Sequence, residues 1–188
     1  MLKNFFSFSF ELIKIVVISL AIIVPVRYFL IQPFYVKGAS MEPNFLDHEY
    51  LIIDEISYRF SEPERGDIIV FRYPRNPQEY FIKRIIGLPG EKVQIKDNHV
   101  VIFEDEKSEG TILEEPYLTE GVKTYSKTEN IVSLGENEFY VLGDNRTSSK
   151  DSRSFGPVNR SFITGRVLLR GWPLNRIGLI DEPVYDFE

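Results

Sequence analysis

From Leu12 to Ile31 the chain runs for twenty residues with only two charges, Lys14 near one end and Arg27 near the other. As a helix rising 1.5 Å per residue, such a run covers about 30 Å, the thickness of a bilayer's hydrocarbon core. Both cations lie close enough to its ends to reach headgroups, and Pro25 would kink the helix or mark its exit. Residues 1–33 are therefore expected to form an N-terminal tail and a single transmembrane anchor. Lys3 and Lys14 against Glu11 leave a slight positive excess on the N-terminal flank. The positive-inside rule then favours a cytoplasmic N-terminus at the plasma membrane, with the rest of the chain extracytoplasmic. The competing reading is a cleaved secretory signal, with Gly38-Ala39-Ser40 as its small residues. It is disfavoured because the apolar run exceeds the usual signal core of about 7–15 residues.

Beyond Ile31 the pattern changes to short β-type runs separated by turn residues. The runs are Phe34–Lys37, Tyr50–Ile53, Asp67–Tyr73, Tyr80–Ile86, Lys92–Ile95, Val100–Phe103, Glu138–Leu142 and Arg166–Arg170. Asp97-Asn98 suits a tight hairpin, since both residue types tolerate positive φ. The acidic, glycine-containing stretch after Phe103 reads as the start of an insertion. The expected architecture is mainly β: the anchor, an antiparallel catalytic domain over 34–103 and 135–188, and a small β cap over 104–134.

Net charge is −6, and no run of Lys or Arg exceeds two residues, so a nucleic-acid partner is not expected. The absence of cysteine removes disulfides, thiolate nucleophiles and most structural zinc sites. His48 and His99 lack further ligands at metal spacing, so neither metal nor cofactor is expected.

Within the apolar segment Tyr80–Ile86, alternation puts Phe81, Lys83 and Ile85 on one side and Ile82, Arg84 and Ile86 on the other. An ammonium among apolar neighbours loses hydration. If its pKa falls from about 10.4 to roughly 8, the charged state loses about 3 kcal/mol and a usable free-amine population appears. Alternatively, Lys83 guards a sheet edge or snorkels to water. Ser40 lies in the small-residue turn Lys37-Gly38-Ala39-Ser40-Met41-Glu42-Pro43, where a hydroxyl is uncrowded. A nucleophilic serine needs a base, and in a chain without a convincing histidine a desolvated lysine can serve. The segment Gly143–Arg153 packs turn formers, hydroxyls and alternating charges. There Asp151 and Arg153 could pair, and Ser149 could hold the Lys83 amine in line.

Four blocks in this order, behind an apolar anchor, resemble the type I signal peptidases, membrane-anchored Ser/Lys proteases. Gly38-Ala39-Ser40-Met41-Glu42-Pro43 resembles their nucleophile block and Arg65-Gly66-Asp67-Ile68-Ile69-Val70-Phe71 the strand block after it. Tyr80 through Glu91 resembles the general-base block, and Gly143-Asp144-Asn145-Arg146 through Asp151-Ser152-Arg153 the last block. The resemblance implies removal of signal peptides from exported preproteins, with Ser40 as nucleophile and Lys83 as general base. It further implies support from Ser149, Asp144, Asp151 and Arg153. Gly38 departs from members that carry a hydroxyl residue there as a second oxyanion donor, leaving the Ser40 N–H as main donor and the Gly38 N–H or a water to complete the hole.

Phe34 and Val36, which alternate before Ser40, and Phe81 and Ile82 around the base would line the substrate site, with Met41 and Phe45 beside them. Shallow apolar walls agree with the family's preference for alanine-like residues before the cut, the substrate adding as a strand. The alternative from another class is a catalytically silent, membrane-anchored β-domain that binds peptides.

Overall fold

The structure, a computed structural model, describes the backbone of residues 2–29, 32–104, 109–180 and 185, and the side chains of 8–24, 33–104, 109–180 and 185. The chain opens with helix α1, Leu2–Phe29. Its apolar side chains Phe10, Ile13, Val17, Leu20 and Val24 point away from any protein core. Among the described residues no helix is long and apolar enough to cross a membrane. The stretch Leu12–Ile31 expected to do so extends past the described side chains at Val24, and residues 30 and 31 lie outside the described residues.

The rest is antiparallel β structure. The strands are β1 Gln32–Tyr35, β2 Tyr50–Asp54, β3 Ile68–Tyr73, β4 Asn76–Gly87, β5 Lys92–Lys96 and β6 His99–Phe103. They continue as β7 Thr111–Ile112, β8 Val132–Ser133, β9 Glu138–Leu142, β10 Val158–Asn159, β11 Ile163–Trp172 and β12 Gly178–Leu179. A one-turn helix α2, Ser152–Phe155, separates β9 from β10. The main sheet runs β1-β2-β11-β3-β4-β9-β10, with β12 against β11, and a smaller sheet runs β7-β6-β5-β8.

That small sheet begins earlier in the chain than the insertion expected over 104–134. The hairpin β5–β6 pairs with β7 and β8 rather than with the main sheet. Its turn is the expected one, with Asp97 and Asn98 at φ 51° and 67° joining Lys96 to His99. Val93, Ile95, Val100 and Ile102 pack with Ile86, Leu142 and Leu134, so the small sheet has a core of its own, joined to the end of β4. Gly87 makes this junction possible, because a Cβ there would run into Val93, Leu134 and Tyr140.

Two clusters cover the faces of the main sheet near its middle. Val36, Met41, Phe45, Leu51, Ile53, Ile68, Val70, Ile82 and Val167 form one. Ile69, Phe71, Ile85, Phe139, Val141, Val158 and Ile163, with Phe81 against them, form the other. The expected alternation along β4 thus holds, with Ile82 facing one cluster and Phe81 and Ile85 the other. Each β4 residue from Tyr80 to Arg84 pairs across to β3, but β9 joins β4 only at Arg84, Ile85 and Gly87. The edge of β4 before Arg84 is therefore open on the side away from β3, and the candidate site lies along it.

Candidate active site

Lys83 stands opposite Ile69 and is only 3% exposed. Its side chain turns at the open strand edge, so that Nζ donates to the carbonyl oxygen of its own neighbour Ile82 at 2.6 Å and to Ser40 Oγ at 2.7 Å. Burial pushes its pKa down from 10.5 to about 8, while the carboxylates of Asp151 and Asp144 pull the other way. Desolvation wins because the ammonium has exchanged water for a hydroxyl, a carbonyl and apolar walls. The result is an amine with an appreciable neutral fraction, in contact with a half-buried serine hydroxyl.

The turn bearing Ser40 is held from three directions. Met41 and Phe45 sink into the core. The carbonyl oxygens of Ala39 and Ser40 accept from Asn145, the first from Nδ2 at 3.0 Å and the second from the main-chain N–H at 3.1 Å. Gly38, at φ 95°, donates its N–H to Asp47 Oδ1 at 2.8 Å. The Gly38 N–H, expected as a possible second oxyanion donor, is thus already engaged in this conformation. The Ser40 N–H makes no hydrogen bond with the described residues.

The loop after β9 is fixed by buried ion pairs. Asp151 is fully buried, receives a two-pronged contact from Arg153 at 2.8 and 2.7 Å, and accepts the Gly143 N–H at 3.1 Å. It also caps α2 through the Arg153 N–H. Arg153 reaches on to the carbonyl of Arg146 at 2.8 Å. Asp144 receives Arg84 at 3.0 and 2.8 Å and Asn44 Nδ2 at 2.8 Å. These are charge-assisted, paired contacts, the form in which buried charge is tolerated.

Ser149 differs from expectation. Its Oγ is buried and makes no hydrogen bond with the described residues, because the two bonds of Lys83 go to Ser40 and Ile82. It nevertheless lies close to the nucleophile turn, since a Cβ added to Gly143 would meet both Ser149 Oγ and the Ser40 carbonyl oxygen.

Ser40 and Lys83 open into a cleft of ≈ 520 Å³ between β1 and β4. Phe34, Val36, Phe81 and Ile82 line it, whereas Met41 and Phe45 lie in the core. Sequence reasoning had missed Tyr80, whose ring meets that of Phe34 at 5.6 Å, and Lys150, whose ammonium lies 4.3 Å from the Tyr73 ring centre. Asn145 was missed as well, and its place between Gly143-Asp144 and Arg146 was the only local signal. Among the described residues no group of His, Asp or Glu is placed to hold a metal ion.

Comparison with known proteins decides the family. Residues 9–172 match the family described as signal peptidase, peptidase S26. The chain belongs to the signal peptidase family. "Signal peptidase I" of Leptolyngbya laminosa is 39% identical over 180 residues, covering 92% of this chain and 84% of that one. "Probable signal peptidase I-2" of Synechocystis sp. is 36% identical over 177 residues, covering 92% and 77%. The crystal structure of a signal peptidase I from Enterococcus faecalis is 32% identical, with a TM-score of 0.46 over 56% of this chain and 97% of that one. The matched residues 9–172 take in all four sequence blocks, from Gly38 to Arg153.

Proposed function

We propose that the chain is a serine endopeptidase that removes N-terminal signal peptides from exported preproteins at a membrane surface, with Ser40 as nucleophile and Lys83 as base. The 2.7 Å contact between Lys83 Nζ and Ser40 Oγ carries this reading. In its neutral form the amine turns its lone pair to the hydroxyl, takes the Ser40 proton as Oγ attacks the scissile carbonyl, and passes that proton to the leaving amine. The amine then takes a proton from water, whose oxygen attacks the acyl ester and releases the signal peptide, while Ser40 regains its proton.

The Ser40 N–H, unengaged by the described residues, is the proposed oxyanion donor; loss of one such donor typically costs about 3–4 kcal/mol of transition-state stabilisation. Ser149, buried beside Gly143 without a hydrogen-bond partner among the described residues, is available to the amine when it leaves the Ile82 carbonyl. Asp144, Asp151 and Arg153 keep the loop in shape around it. Phe34, Val36, Phe81 and Ile82 present apolar walls and open strand edges, which suits an extended peptide with small side chains.

A single membrane anchor is supported by the apolar side chains that α1 exposes in its described part, as a helix covered by lipid would. The slight positive excess of the N-terminal flank supports a cytoplasmic N-terminus and an extracytoplasmic β-domain. Ser40 lies nine residues beyond Ile31, at most about 30 Å of extended chain, so the nucleophile stays near the membrane surface where a cleavage site emerges.

The test is cleavage of a preprotein by the purified full chain in detergent, beside Ser40→Ala and Lys83→Ala. Both variants are expected to be inactive, and retained cleavage in either overturns the dyad. A peptide-binding β-domain without catalysis would instead fail to acylate at Ser40 with a serine-reactive probe while remaining folded.

A further inference from the structure

A second groove, of ≈ 570 Å³, borders the first one without sharing its walls. Glu42 and Pro43, just past the nucleophile, line it together with residues of the segment 119–125, and the buried Asp144 and Arg146 form its floor. One hydrogen bond links the two linings: Ser40 lines the first, Asn145 lines the second, and the Asn145 N–H donates to the Ser40 carbonyl at 3.1 Å.

The floor is rigid and already neutralised. Asp144 is paired with Arg84 and Asn44, and Arg146 is paired with Glu115 and bonded to Thr124. The walls are unlike it. Val122 and Tyr125 are exposed apolar surface, and Glu42 and Lys123 make no ion pair with the described residues. A groove with a fixed floor, exposed apolar walls and, among the described residues, one unpaired charge of each sign is built to hold an extended chain rather than a small ion.

An extended peptide that fills the first cleft up to Ser40 advances about 3.3 Å per residue. Beyond the scissile bond it has to continue past the Ser40–Asn145 hydrogen bond. We propose that this second groove receives the first residues of the mature protein, with Val122 and Tyr125 as apolar contacts and Glu42, two positions past the nucleophile, as a filter against acidic residues directly after the cut, the opposite charge of Lys123 lying on the other lining segment. This inference rests on the signal-peptidase reading and extends it: part of the specificity lies on the side of the bond that is kept.

The experiment compares kcat/KM on preprotein-derived peptides sharing one signal-peptide half. One ends in an amide a single residue after the cut; the others continue for five residues, with two lysines or two glutamates within them. For the unaltered full chain, the lysine peptide is expected to exceed the truncated one by about tenfold, since remote contacts are used in the transition state. It is expected to exceed the glutamate peptide by about threefold, the scale of one partly exposed charge pair. Glu42→Lys should invert the lysine-to-glutamate order, and Tyr125→Ala should shrink the long-to-truncated ratio. Unchanged ratios in both variants, with the truncated peptide still cut by the unaltered chain, overturn this inference alone. No cleavage of any peptide by the unaltered chain overturns the enzymatic reading and this inference with it.

Discussion

Lys83 Nζ and Ser40 Oγ lie 2.7 Å apart although 43 positions separate them in the chain. The contact exists because Lys83 bends around the open edge of β4 and the Ser40 turn is clamped by Asn145. The active form requires the free amine, and the pKa of Lys83 is about 8. The free fraction therefore rises from about one tenth at pH 7 to about one half at pH 8. A profile of kcat/KM is expected to climb with pH through a midpoint near 8 and then level off. Lys83→Arg, which stays protonated at any working pH, should lose about a thousandfold. A flat profile from pH 6 to 9 would remove Lys83 from the role of base.

The same burial predicts a cost in stability. In the unfolded chain the lysine titrates at its ordinary value of 10.5, whereas in the fold it titrates at about 8. Below pH 8 both states carry the proton, and the folded state bears the penalty of a buried ammonium, about 3 kcal/mol. Between pH 8 and 10.5 the unfolded state binds more protons, so stability rises with pH and the penalty fades. Lys83→Met, which fills similar space without charge, should be more stable than the unaltered chain at pH 7 and nearly equal to it above pH 10.5. Thermal melts of the full-length proteins in detergent across that range check this, and a difference independent of pH would contradict it.

Which parts of this site could be read from the sequence depended on how local their causes were. Lys83 in an apolar strand, the Asp97-Asn98 turn and the Asp151–Arg153 pair are set by neighbours within a few residues, and all three are present in the structure. Two-residue strands such as Thr111–Ile112 and Val132–Ser133 carry no periodic signal of their own. They exist because the β5–β6 hairpin offers them an edge, which also explains why the small sheet begins at Lys92. Asn145 acts on Ala39 across 106 positions, and Asp47 captures the Gly38 N–H from a different turn. Neither contact leaves a trace in spacing. Met41 and Phe45 have the apolar character expected of cleft walls, but the i to i+4 turn between them rolls both inward.

Gly143 lies where space is shortest. Any side chain there would press on Ser149 and on the carbonyl oxygen of Ser40, and the latter belongs to the main chain and cannot rotate aside. Gly143→Ala is expected to push the nucleophile turn away from Lys83, lowering kcat about tenfold or more with little change in KM, and to cost about 2 kcal/mol of stability through overpacking. Steady-state kinetics with a melt of the same sample separates the two effects. A Gly143→Ala enzyme with unaltered kcat would mean that the turn and the loop move independently.

Asp151 ties stability to the titration of the base. It holds Arg153 and the Gly143 N–H, and its negative charge favours the protonated form of Lys83. Asp151→Asn removes that charge while keeping the shape and part of the hydrogen bonding. Two consequences of opposite character follow. The fold should lose about 3–5 kcal/mol, since a largely buried Arg153 is left without its counter-charge. The amine, relieved of a nearby anion, should become easier to deprotonate, so the midpoint of the kcat/KM profile should move below that of the unaltered chain. Activity in the folded fraction should accordingly decline less at pH 7 than at pH 9, because at the lower pH the larger free-amine population offsets part of any loss from loop movement. Measuring both profiles at a temperature where each protein is folded tests the electrostatic link directly, and a midpoint that stays put or rises would show that Asp151 acts on Lys83 only through the shape of the loop.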